Sequence, residues 1–141
     1  MAIQPVKDLL HQYIERVWNG RDLSALDELT SSNFVYYLGG QPGRDRSAMR
    51  QFLEAVHVAF PDWRVEIVDC VAEDQKAVVR WVGQVTHSGP FHGIPPTGKR
   101  VAVSGINAYH LAGNKIEAEW EQMDSLGLLQ QLGAFTPLAR H

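Results

Sequence analysis

One cysteine, Cys70, occurs in the 141 residues. An internal disulfide is therefore excluded, and a reducing cytoplasm is the simplest home for the chain. Excess charge is also scarce. The formal net charge is −3 and only 21% of residues are charged, which gives no reason to expect nucleic acid as a partner. No apolar stretch approaches the roughly 18–20 residues of a membrane span, and the opening MAIQPVKDLL has no secretory pattern, so no membrane association is expected. There is no glycine-rich phosphate loop after a strand and no Ser or Cys nucleophile motif. Of the six histidines, the pair His87-x4-His92 has no carboxylate or cysteine at ligand spacing, so a metal site is not expected.

What is present is an ordinary globular balance, 45% apolar, over a length that buries about 70% of its unfolded surface as one domain, residues 1–141. Residues 5–19 read as an amphipathic helix with Val6, Leu9, Leu10, Tyr13, Ile14 and Val17 on one stripe, stopped by Asn19-Gly20. Asp22 is placed to cap a second helix over Leu23–Leu29. Phe34 to Leu38 is a strand rich in aromatic and β-branched residues. A third helix over about 45–60 carries Met49, Phe52, Leu53, Val56, Ala59 and Phe60 at helical spacing. Strands follow at about 63–72 and 76–88, then a loop broken by Pro and Gly at 89–98. Helices first and an antiparallel meander afterwards predict an α+β domain. A long sheet curved over helices leaves a cavity, the default place for a ligand.

The stretch from Val101 to Gly133 organises this reading. It predicts a strand, a two-residue turn at Gly113-Asn114, a second strand and a short helix, 126–132. Pairing outward from the turn sets Leu111 opposite Ile116, Tyr109 opposite Ala118 and Asn107 opposite Trp120. Alternation then puts Asn107, Tyr109, Trp120, Gln122 and Asp124 on one face, with His110, Glu117, Glu119 and Glu121 on the other. The first face joins aromatic rings to amides and a carboxylate, the composition of a lined pocket.

The run THSGPFHGIPPTGKRV, the hairpin NAYHLAGNKIEAEW and the segment DSLGLLQQLG resemble the SnoaL-like polyketide cyclases, within the superfamily named for nuclear transport factor two. RVWNGRDLSALDEL and FPDWRVEI extend the resemblance over nearly the whole chain. It implies a cone-shaped α+β barrel, in which a curved antiparallel sheet wraps over three N-terminal helices and a short C-terminal helix closes it. It also implies a cofactor-free intramolecular aldol condensation, with a carboxylate on the last strand as acid/base and a histidine on the strand before it. A gapless match sets Glu121 and Asn107 at those two positions; sliding by three residues sets Asp124 and His110 there. Isomerase and epoxide hydrolase relatives use similar parts, and some relatives only bind ligands or form homodimers. A homodimer is expected here on the same analogy.

Three residues are therefore candidates for catalysis: Asp124, Glu121 and His110. Asp124 shares a face with Trp120 and Tyr109, where burial would raise its pKa, but it also precedes a helix as a favoured N-cap. Glu121 falls on an alternating acidic strand face, ordinarily a solvated one. A β-bulge near 121–123 would re-aim one of the two. Candidates for contact with a flat, hydrophobic small-molecule substrate are Asn107, Tyr109, Trp120, Gln122, Tyr36, Phe60 and His87.

Overall fold

A computed structural model describes residues 3–134. Its first helix, α1, runs Ile3–Tyr13 and buries Val6, Leu10 and Tyr13. The apolar stripe expected to continue as one α-helix instead widens into a π-helical segment, Ile14–Asn19. Such wide turns are rare and cluster at functional sites. Here the turn directs Ile14, Val17 and Trp18 inward directly after Tyr13. Two side chains hold it. The Asn19 amide accepts from Val65 N–H at 2.9 Å and donates to Val65 C=O at 3.0 Å, as a strand partner would. The buried His57 ring lies 2.9 Å from the Trp18 carbonyl oxygen through Nε2.

Helix α2, Leu23–Leu29, follows, and strand β1 spans Thr30–Leu38, four residues earlier than its aromatic core suggested. Helix α3, Arg46–Ala59, is capped by Asp45, whose side chain accepts from Ala48 N–H at 2.9 Å. Its inward face carries Met49, Leu53, Val56 and Ala59. Strands β2 (Val65–Glu73), β3 (Lys76–Thr86), β4 (Arg100–Ala112) and β5 (Lys115–Met123) form the expected antiparallel meander. Strand β1 completes the sheet by pairing parallel to β5, giving the order β1-β5-β4-β3-β2. Helix α4, Ser125–Gln131, closes the described chain. The three N-terminal helices and the inner sheet face share one apolar core, the α+β arrangement predicted.

The hairpin register decides what faces that core. Leu111 pairs with Ile116 as expected, but His110 pairs with Ala118, so Glu117 is an extra residue on β5. The bulge lies near the turn and not at 121–123, and it shifts every later pair by one. Tyr109 therefore faces Glu119 and Asn107 faces Glu121. A slip of one residue exchanges the two faces of a strand, so Glu119 and Glu121 point inward while Trp120 points outward.

Gly105 is required by a close approach on the inner face. A Cβ there would lie 2.4 Å from Trp81 Cζ2 and 2.9 Å from the Gln122 carbonyl oxygen. Gly105→Ala is expected to lower stability by about 1–3 kcal/mol in urea denaturation through overpacking. An unchanged midpoint would mean that the Trp81 ring has room to move.

Candidate active site

Two carboxylates meet inside the sheet. Glu119 is fully buried and accepts three hydrogen bonds: Tyr13 Oη donates to Oε1 at 2.6 Å, while Tyr109 Oη at 2.8 Å and Asn107 Nδ2 at 2.9 Å donate to Oε2. Glu121, 4% exposed, accepts on Oε1 from Tyr36 Oη at 2.9 Å and from Asn107 Nδ2 at 3.3 Å. No described residue donates to its Oε2. The Asn107 carbonyl in turn accepts from Trp81 Nε1 at 2.9 Å, which fixes the orientation of the amide. One NH2 group thus serves both acids. Among the described residues neither acid has a salt-bridge partner within 4.0 Å.

Burial without a paired cation sets the electrostatics. The Glu121 carboxyl is pushed up to about 7, first by burial and then by the neighbouring Glu119 charge, while the Tyr36 and Asn107 donors pull it back. Burial also raises Glu119, opposed by the donors from Tyr13, Tyr109 and Asn107. The phenols of Tyr13, Tyr36 and Tyr109 are all raised, chiefly by burial and next by the adjacent carboxylates, so all three remain protonated donors.

Glu121 also lines an apolar cavity of about 420 Å³, walled by Trp18, Phe52, Phe60, Trp63, Phe91 and Leu128. Gln122 and His92 line it as well. A second void of about 10 Å³, room for one water-sized sphere, touches Asn107 and Tyr109. Trp18, Trp63 and Glu121 border both spaces and so form the partition between them. A larger groove of about 940 Å³ lies elsewhere, edged by the ion pairs Glu15–Arg64 and Asp62–Arg100. It touches neither buried acid, and its solvated, self-paired charges leave little to recognise an apolar ligand.

The expected site residues divide accordingly. Glu121, Asn107, Tyr109 and Tyr36 come together, and Phe60 lines the cavity. Gln122 is corrected: it borders the cavity, but it is exposed and shares the outer face with Trp120, opposite Ile106. Asn107, Tyr109 and Tyr36 direct their polar atoms at the carboxylates and not at a ligand. Asp124 is corrected: it is exposed and caps α4, accepting from Gly127 N–H at 2.8 Å, and it borders the polar groove. His110 and Trp120 are corrected too: the register shift turns Trp120 to the outer face, and His110, on the unshifted strand β4, stays on that face away from the cavity. There His110 meets the Trp120 ring at 4.7 Å, and Trp120 stacks on Tyr37 at 5.5 Å with planes 10° apart. His87 is buried behind the cavity wall. Its Nδ1 lies 2.9 Å from Thr97 Oγ1, and its ring packs on Phe60 and Phe91 without lining the cavity.

Glu119 and Tyr13 belong to the site and were not expected in it. The straight-ladder register put Glu119 outside, and Tyr13 read only as part of an apolar stripe. The available signal was chemical: a buried tyrosine hydroxyl needs a hydrogen-bond partner.

Comparison with known proteins agrees with this architecture. The family model described as SnoaL-like polyketide cyclase matches residues 8–132. Among solved structures, AclR of Streptomyces galilaeus, a candidate hydroxylase, is 26% identical with a TM-score of 0.87, over 99% of this chain and 91% of that one. IdmH of Streptomyces antibioticus, a candidate polyketide cyclase, is 29% identical with a TM-score of 0.81, over 92% and 99%. A candidate polyketide cyclase of Acidithiobacillus ferrooxidans is 28% identical with a TM-score of 0.83, over 94% and 98%. No curated protein matches by sequence. With the matched segment covering almost the full length and the fold held in common, the chain belongs to the SnoaL-like polyketide cyclase family.

Proposed function

We propose that the chain is an acid/base enzyme of the cyclase type, with Glu121 as the group that moves the proton. Its substrate is a flat, hydrophobic, enolisable polyketide that fits the cavity of about 420 Å³. The observation that carries this reading is a single titratable oxygen, Glu121 Oε2, left without a donor among the described residues, on a residue that lines an aromatic-walled cavity. Burial brings that carboxyl to about 7, where a group can both accept and return a proton near neutrality.

The chemistry follows from that position. Glu121 takes a proton from the carbon α to a carbonyl, and the resulting enolate carbon forms a bond to a second carbonyl carbon of the same molecule. The new alkoxide then takes the proton back from Glu121, so the ring closes with no net proton change. Trp18, Phe52 and Phe60 hold the flat substrate by ring contact. Asn107 and Tyr109 are already committed to the carboxylates, so they are not assigned to the enolate.

We also propose a second copy of the chain as partner of the outer sheet face. Val71, Val78, Ala108, Trp120 and Tyr37 are aligned across all five strands there by the pairing register. Val71, Val78 and Trp120 are exposed large apolar residues, the kind of surface that association covers.

Glu121→Gln is expected to slow α-proton exchange of a bicyclic β-ketoester in D2O by about 10²–10⁴-fold, followed by NMR, with affinity retained. Equal exchange by the variant would remove Glu121 from the reaction. Stability gives a second check. Glu121 is raised from 4.5 to about 7 in the folded state, so between those values the folded chain holds a proton that the unfolded chain has released. Stability therefore falls as pH rises through this window, and Glu119, raised by the same cause, adds to the same sign. Glu121→Gln is expected to flatten the slope and to add about 3 kcal/mol at alkaline pH. A wild-type denaturation midpoint that climbs over this range would contradict the assignment. For the interface, Val78→Glu is expected to convert a dimer to monomer in sedimentation velocity; a wild-type monomer at high micromolar concentration would end that proposal.

A further inference from the structure

Glu119 takes no part in the proton transfer above. It does not line the cavity, and both of its oxygens are already occupied. Yet a buried carboxyl with no cation beside it is expensive to keep, and an amide or a phenylalanine would fill the same space. Its hydrogen bonds indicate what it does.

Every group that reaches Glu119 is a donor. A proton on Oε2 finds no acceptor in the Asn107 NH2, which has no lone pair, nor in the Asn107 carbonyl, which is held by Trp81, so it would require Tyr109 to turn and give up its own bond to Glu119. A proton on Oε1 would require Tyr13 to turn and become the acceptor, stranding its own proton among the rings of Phe34 and Tyr109. The arrangement is satisfied by the anion and broken by the acid. Glu121 is the reverse case. Its Oε1 takes both donors and its Oε2 takes none among the described residues, so a proton on Oε2 displaces no hydrogen bond.

We infer that Glu119 is a positioning residue for Glu121: a standing anion that holds the Asn107 amide, turns Glu121 so that Oε2 is the free oxygen, and keeps the shared proton there. The inference rests on Glu121 being the acid/base group. The mechanism has two parts. The Asn107 NH2, fixed by Glu119 Oε2 and by Trp81, orients the Glu121 carboxyl. The negative charge on Glu119 disfavours a second charge on Glu121, and this is the next cause after burial of the Glu121 shift. The other groups facing the pair are Tyr13 from α1, Tyr36 from β1 and Tyr109 from β4, all neutral donors, with His92 on the cavity wall. Arg44, in the segment after β1, is the opposing charge. Its guanidinium lies 4.6 Å from the Phe52 ring centroid and 6.0 Å from that of Tyr36, and it favours the ionised form of Glu121. Loss of Glu119 therefore removes the repulsion and leaves the weaker attraction of Arg44, which moves the Glu121 titration towards acid.

The test is a carboxyl 13C NMR titration of the full chain labelled at glutamate, with Glu121→Gln and Glu119→Gln assigning the two buried signals. In the wild type, Glu121 is expected to titrate near neutrality, while Glu119, though raised, titrates on the acid side of Glu121 and is silent across the Glu121 transition. In Glu119→Gln the Glu121 midpoint is expected to fall by about one unit or more, and the pH profile of α-proton exchange to move with it, with KM unchanged. Glu119→Asp, which keeps the charge, is expected to restore the midpoint. If Glu119→Gln does not fold, Tyr109→Phe serves in its place, because it removes a donor from Glu119 and none from Glu121. The Glu119 signal should then begin to titrate alongside that of Glu121. The inference is overturned if wild-type Glu119 titrates near neutrality, if Glu119→Gln leaves the Glu121 midpoint in place, or if Tyr109→Phe leaves the Glu119 signal silent. A wild-type Glu121 that never titrates near neutrality sinks the assignment of Glu121 itself, a result separable from the other three.

Discussion

One amide group holds the chemistry of this domain together. The Asn107 side chain stands between two buried acids, gives an N–H to each, and is kept from rotating by the Trp81 indole at 2.9 Å from its carbonyl. Two carboxyl groups this close cannot both ionise at little cost in a medium that screens poorly. The amide and the surrounding hydroxyls replace the water each acid would otherwise have. Remove the orientation of Asn107, and Tyr36 alone is left to hold Oε1 of Glu121 and turn Oε2 to the cavity.

The rest of the fold can be understood as the means of bringing donors to that point. Strand β4 supplies Asn107 and Tyr109 at successive inward positions, and β3 brings Trp81 beside them through its pairing with Gly105. Strand β1, paired in parallel with β5, delivers Tyr36. Helix α1 reaches across the core with Tyr13, and the π-helical segment after it adds Trp18 to the cavity wall. Donors thus arrive from three layers of sequence far apart along the chain, whereas the cavity wall is almost entirely rings and aliphatic side chains. Such a division suits a reaction in which the substrate is held by shape and only one proton is handled.

Much of this was legible in the sequence, and the reasons differ by element. Helices α2 and α3 follow from apolar spacing of 3.6 residues; Asp22 stands at the start of α2 but makes no side-chain capping bond, its carboxylate being taken by Arg16 and Ser24. The turn at Gly113-Asn114 and the first hairpin pair, Leu111 with Ile116, follow from turn chemistry. Beyond that pair, alternation alone misleads. Polar and apolar residues occur on both faces of β5, so period two does not say which face is inside, and one unpaired residue reverses the answer. The same reversal makes Glu119 and Glu121 resemble a solvated acidic edge and makes Trp120 resemble a wall residue. The gapless family frame, Asn107 with Glu121, does name residues that meet in the structure. The π-helical segment and the polar start of β1, Thr-Ser-Ser-Asn, have no comparable local signal. Both depend on tertiary partners: Asn19 with Val65, and β1 with β5.

The surplus residue in β5 has an evolutionary side. Because Glu117 is the unpaired position, a gene that lost its codon would still set Ala118 against His110 and both acids against the same β4 residues, now along an unbroken ladder. Relatives of either length can therefore share one chamber, and an alignment of this hairpin needs its gap at Glu117 if equivalent side chains are to fall in the same column.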